Sequence, residues 1–158
     1  MKFHSFYVAA AKKYIEVCQH RTAMLALYER AKAAGDISDV DFKKAAKNIE
    51  ASTRSDFRGI SSKLTKQVPF RFVAVGADVA QKIEIEHPIV LCKVHDYIID
   101  NEMSLDELVR FIEENIFGVL VTPEQHRALP KQSMPSGWKF GDDPLARYHH
   151  AKIEVRAL

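Results

Sequence analysis

Asn115-Ile116-Phe117-Gly118-Val119-Leu120-Val121-Thr122-Pro123-Glu124-Gln125-His126 carries the change of character that sets the fold class. Phe117 to Val121 reads as a short apolar strand. Thr122 then offers a side-chain oxygen as N-cap, and Pro123 takes the first helical position, where a missing N–H goes unnoticed. A helix therefore opens directly behind the strand and carries His126 and Leu129.

Before this stretch, Ser104 and Glu107 stand three residues apart as a capping box. Leu105, Leu108, Phe111 and Ile112 then predict a helix to about Asn115. Ile89 to Asp100 fits another helix. Gln81 to His87 alternates Lys82, Glu84 and Glu86 with Ile83 and Ile85, the period of two of a half-exposed strand. His87 falls at its end, because Pro88 cannot continue a hydrogen-bonded ladder. A first strand, Phe70 to Gly76, follows the change of character at Val68-Pro69.

The N-terminal third reads as helix: about Phe6 to Ala34, stopped by Gly35, then Asp39 to about Ala51 behind a Ser38 cap, then about Ser55 to Lys66 around Gly59. After Leu129, Pro130, Pro135, Gly137, Gly141 and Pro144 predict mostly loop, with a last helix from about Pro144 to Ala151. The fold class expected is α+β. Residues 1–67 form a basic helical region that contacts nucleic acid or dimerises, and residues 68–158 a small core with a C-terminal loop and helix.

A chain of 158 residues with 47% hydrophobic residues can bury one ordinary core. No signal-like apolar stretch develops before Lys12 and Lys13, and Cys18 and Cys92 have no metal-ligand spacing, so a reducing cytoplasm is expected. The net charge of +2 hides an asymmetry. Met1 to Arg71 holds 14 Lys and Arg against 7 Asp and Glu, whereas Ala77 to Asn115 holds 3 against 10. That division suits an anionic polymer on one part and a cation on the other, or two ordinarily solvated surfaces. Lys43, Lys44, Lys47, Arg54, Arg58, Lys63 and Lys66 are the candidate phosphate contacts, with Ser61 and Ser62 as neutral donors.

The chemistry centres on Ile85-Glu86-His87-Pro88 and on His126. A carboxylate beside a histidine, with a second histidine opening a later helix, is a donor set that holds a divalent metal and activates water. Other polar candidates have weaker context. His95 lies eight residues past His87, and His149-His150 are helix neighbours that do not face together. Trp138 either clamps its loop to the core or stacks on a base.

From Lys82 to Leu129 the order strand, Glu-His, insertion, Asn, strand, Thr-Pro-Glu-x-His resembles the HNH, or ββα-metal, nuclease family. Three departures stand out. Pro88 follows the histidine directly, Pro88 to Glu114 is a long helical insertion, and zinc-binding cysteine pairs are missing. The resemblance implies a small ββα-metal core with a helical insertion, behind the N-terminal helices. It implies His87 as general base, with Glu86 and His126 as ligands of one divalent ion: Mg²⁺ or Mn²⁺, with Zn²⁺ and Ni²⁺ as alternatives. Asn115 would orient His87 or approach the ion. Because Glu86 and His87 would face opposite ways on a regular strand, a bend at Pro88 is expected.

The reading is a metal-dependent endonuclease acting on DNA, with RNA as an alternative substrate. A restriction or phage setting is implied by analogy alone, and a homodimer through the N-terminal helices is compatible with it. The competing readings are a non-catalytic nucleic-acid-binding or regulatory protein, and a phage-type helical inhibitor docking through Phe6 to Ala34.

Overall fold

Two long antiparallel helices lead the chain in the computed structural model, which describes residues 3–68, 70–77, 80 and 82–158. Pro69 and Gln81, named above at a change of character and at a strand start, lie outside those residues. Helix α1 spans His4–Ala34 and ends where Gly35 adopts a left-handed φ of 81°. Its C-terminus closes as a Schellman motif, with Asp36 N–H donating to Ala31 O and Gly35 N–H to Lys32 O. Ser38 accepts from Asp41 N–H and starts α2, Asp39–Thr65.

Helix α2 is one continuous element where the sequence predicts two. Gly59 weakens a helix by about 1 kcal/mol, but Phe57, Ser61 and Leu64 on either side of it are buried. Tertiary packing outweighs the local cost.

The four-stranded sheet has the order β2-β3-β1-β4. Strand β1 (Phe70–Ala74) lies parallel to β3 (Gly118–Val121) and antiparallel to β4 (Val155–Ala157), while β2 (Glu84–Glu86) pairs antiparallel with β3. Strand β4 has no counterpart in the sequence reading; only three residues pair. Between β2 and β3 stand α3 (Leu91–Asp100) and α4 (Leu105–Asn115), the expected helical insertion. The Ser104–Glu107 capping box of α4 forms in both directions. Short helices α5 (Pro123–Ala128) and α6 (Ala146–His150) follow β3. The α+β class expected from the sequence is the one observed.

Two apolar clusters result. The first joins α1, α2, α3 and α4 through Tyr14, Phe57, Leu64, Val94, Leu108 and Ile112. The second lies on the sheet and includes Val73, Val119, Val121, Leu129, Leu145 and Tyr148. Arg71 links them, donating to the Glu113 carbonyl at 2.6 Å while its guanidinium lies 4.8 Å from the Phe117 ring centre. Gly118 permits the sheet to close: a Cβ there would stand 2.6 Å from Phe70 Cδ1 and 3.1 Å from Ile85 Cγ2. Among the described residues, no helix is long and apolar enough to cross a membrane.

The hairpin of α1 and α2 outruns its own core. The fully buried residues of α1 end at Tyr14, and those of α2 begin at Thr53. Beyond them the two helices form an arm on which Leu27 is 52% and Val40 74% exposed. Phe57→Ala should therefore cost about 3–5 kcal/mol, whereas Leu27→Ala should stay within about 0.5 kcal/mol of the wild type. Urea unfolding of the two variants checks both values.

Candidate functional site

On a strand, residues two apart share a face, so Glu84 and Glu86 project together from β2. Glu84 pairs with Val121 and Glu86 with Val119, both buried. The sense of this strand is the reverse of what hydropathy suggests. Ile85 is 44% exposed, while Glu84 and Glu86 turn toward the rest of the protein.

The chain then folds back on that face. After Val121, Thr122 and Gln125 form a capping box, and Gln125 Nε2 also donates to Val75 O at 2.9 Å. These bonds fix how α5 leaves the sheet. His126, on the first turn, lands between the two carboxylates. Its Nδ1 meets Glu84 Oε2, and its Nε2 lies 3.0 Å from Glu86 Oε2.

Glu86 is also claimed from the other side. Arg147 of α6 donates from Nη2 to Glu86 Oε1 at 2.5 Å, with side-chain exposures of only 2% and 16%. One carboxylate thus bridges a histidine on α5 and a buried guanidinium on α6. Three buried polar atoms have no hydrogen-bond partner among the described residues: Arg147 Nε, the Tyr148 hydroxyl and His87 Nδ1. The Tyr148 phenol is pushed above its ordinary range, first by burial and then by the Glu86 charge.

His87 directly follows β2 and is half-buried. Burial lowers its pKa below the usual imidazole value, against the opposing pull of Glu86 and the Phe117 backbone. Its ring is therefore neutral near pH 7. Asn115 ends α4 and donates its amide to Phe111 O at 2.7 Å, one turn back. That is the role of a helix-terminating asparagine, and the structure ties Asn115 to α4 rather than to His87.

Of the sequence-predicted ligands, Glu86 and His126 come together. Glu84, absent from that prediction, joins them. Its signal was available in the shared face of a two-residue spacing. Among the described residues, no three His, Cys, Asp or Glu side chains group as metal ligands. An ion here would thus take two protein ligands, Glu86 and His126, and complete its shell with water.

The candidate phosphate contacts divide. Lys43, Lys47, Arg54 and Arg58, spaced by four, seven and four, share one face of α2. Arg54 is partly neutralised by Asp96 of α3 at 2.5 Å. Lys44, Lys63 and Lys66 are exposed and lie off that stripe. Ser61 is buried: it bonds Tyr14 Oη at 2.5 Å and His95 Nε2 at 2.9 Å, so it is closed to a phosphate, while Ser62 is exposed. His149 pairs with Asp143 at the surface, 3.1 Å away.

Comparison with protein-family models, curated proteins and solved structures finds no match. The geometry alone carries the functional reading.

Two consequences can be measured. Arg147→Ala strands Glu86 without its buried partner and should cost about 3–5 kcal/mol in urea unfolding. Burial, the largest influence, lowers His95 to about 4. The unfolded chain protonates near 6.5, so stability from His95 is complete above that pH and is lost as pH falls toward 4. Between pH 7 and pH 5 the wild type should lose about 2 kcal/mol from this group. His95→Asn, which keeps a partner for Ser61, should lose less over the same interval.

Proposed function

We propose that this chain is a metal-dependent endonuclease that hydrolyses phosphodiester bonds in DNA, working in a reducing cytoplasm where Cys18 and Cys92 remain thiols. The observation that carries the reading is His126 held between two carboxylates. Glu84 at Nδ1 fixes the ring and its tautomer, as carboxylates behind metal-bound histidines do. The other ring nitrogen, Nε2, faces a Glu86 oxygen at 3.0 Å. Two electron-rich atoms that close call for a cation or a proton between them. The order β2, β3, α5, with β2 and β3 antiparallel, supports the resemblance to HNH nucleases.

Each side chain then has a task. Glu86 and His126 would hold the divalent ion, and when bound the ion supplies positive charge against the phosphorane and the leaving alkoxide. Arg147 positions Glu86, fixing which carboxylate oxygen faces His126. His87 takes the proton of the attacking water. A ring that is neutral near pH 7 can accept a proton. Lys43, Lys47 and Arg58 on α2 supply phosphate contacts that position the duplex without reading its sequence.

A second reading rests on the arm of α1 and α2, whose exposed Leu27 and Val40 would suit a docking surface for a partner protein or a second copy. Plasmid nicking separates the two. Wild type should nick with Mg²⁺, Mn²⁺ or Ni²⁺ and stop in EDTA. His87→Ala and His126→Ala should each lower the rate at least about 100-fold, while Glu84→Gln should weaken metal affinity by about 10- to 100-fold. DNA binding without cleavage under every metal would leave a binding protein, and no DNA affinity at all would leave the docking reading.

A further inference from the structure

The loop joining α5 to α6 crosses the start of α3, where Cys92 Sγ approaches Gln132 O at 3.8 Å. Trp138 sits in this loop, and its environment holds it rigidly. Its indole N–H donates to Asp143 O at 2.9 Å, and its ring meets Phe140 edge to face with centres 5.0 Å apart. Phe140 packs on Tyr97 at 4.5 Å, and Tyr97 stacks on Phe111 at 4.7 Å.

Beside Trp138 opens a cleft of about 560 Å³, lined by Lys93 and Tyr97 from α3 and by Met134, Trp138, Lys139 and Phe140 from the loop. That size suits a small-molecule group. Lys93 and Tyr97 share one face of α3 at a spacing of four. Lys93 and Lys139 are both exposed, and no carboxylate lines the cleft. A loop clamp alone explains the fixed indole. It does not explain two lysines from separate elements flanking an open aromatic wall.

We propose that this cleft binds one unstacked nucleotide, its base lying against Trp138 and its flanking phosphates held by Lys93 and Lys139. Aromatic faces accept any base, and lysines act as point charges for phosphate, so the site is tolerant of sequence. Trp138 is already ordered by its neighbours, so stacking costs little further side-chain entropy. The assignment takes from the nuclease reading only that the partner is a nucleic acid.

The sequence has one tryptophan, so intrinsic emission reports on this cleft alone. The test titrates the full chain, in EDTA to prevent cleavage, with a single-stranded DNA octamer and with an octamer of the same length made of abasic sites. The base-bearing strand should quench Trp138 and bind about 10-fold more tightly than the abasic one. With a dye-labelled octamer read by anisotropy, Trp138→Leu should weaken binding about 5- to 100-fold, the loss of one base–aromatic stack. Trp138→Phe should restore most of it, and Lys93→Glu with Lys139→Glu should weaken binding of both strands.

Equal affinity for the two strands overturns the proposal, as does wild-type affinity in Trp138→Leu. Should Trp138→Leu fail to fold, the comparison of strands on the wild-type chain decides alone. A parallel nicking assay with Mn²⁺ separates the two ideas. Base-dependent quenching without nicking keeps the nucleotide cleft and removes the nuclease, and nicking without base-dependent quenching does the reverse.

Discussion

The contact between Glu86 and Arg147 organises the C-terminal half of this protein. Burying a guanidinium is costly unless a carboxylate meets it in good geometry, and the pair adds less net stability than an apolar pair would. Its effect is to choose an arrangement. Arg147, 2% exposed at its side chain, cannot leave Glu86 without stranding a buried charge. Helix α6 must therefore lie over β2, and the loop from α5 must reach it. His126 reads the second oxygen of the same carboxylate, so α5 is held to the same point. Three elements that make few apolar contacts with one another are aligned by a single side chain.

The helical half is organised by a different constraint. Tyr14, Ser61 and His95 come from three helices and form a hydrogen-bonded chain inside the apolar cluster. Each polar atom has its partner only when α1, α2 and α3 stand in one register, so the chain specifies that packing more sharply than apolar contact does. Burial in the same cluster keeps His95 neutral, which makes the helical core sensitive to acid. Where α1 and α2 run past this network, Arg21 pairs with Glu50 across the hairpin, its Nε donating at 2.8 Å, and the arm keeps its side chains half in solvent.

Much of the local structure was legible. Ser38, Ser104 and Thr122 each form the cap that their position predicts, because N-capping depends on a few neighbouring residues. Gly35 ends α1 for the same kind of reason. Legibility failed where distant atoms decide. The expected break between Ala51 and Ser55 does not occur: Thr53 is buried there and donates its hydroxyl to Ile49 O at 2.9 Å, and Phe57 and Leu64 are buried further along the helix. Strand β4 is too short to show a period and exists because β1 offers it a ladder. In the site, Glu86 and His126 could be named from their neighbours. Glu84 shares a strand face with Glu86, a signal its two-residue spacing carries, whereas Arg147 has no local peculiarity and takes its role from Glu86, 61 positions away. Asn115 donates its amide to a carbonyl of its own helix, as a helix-terminating asparagine does.

By itself the sequence determined the caps at Ser38, Ser104 and Thr122 and the stop at Gly35, the α+β class, the helical insertion between two strands, and two histidines worth testing. These are matters of backbone preference and spacing, which act over a few residues. Only the tertiary structure decided which face of β2 is turned inward, with Glu84 and Glu86 rather than the isoleucines taking that side. The ion pair of Glu86 with Arg147, with the contacts both carboxylates make to His126, outweighs the transfer of one half-exposed isoleucine, and that balance exists only once the three elements have met.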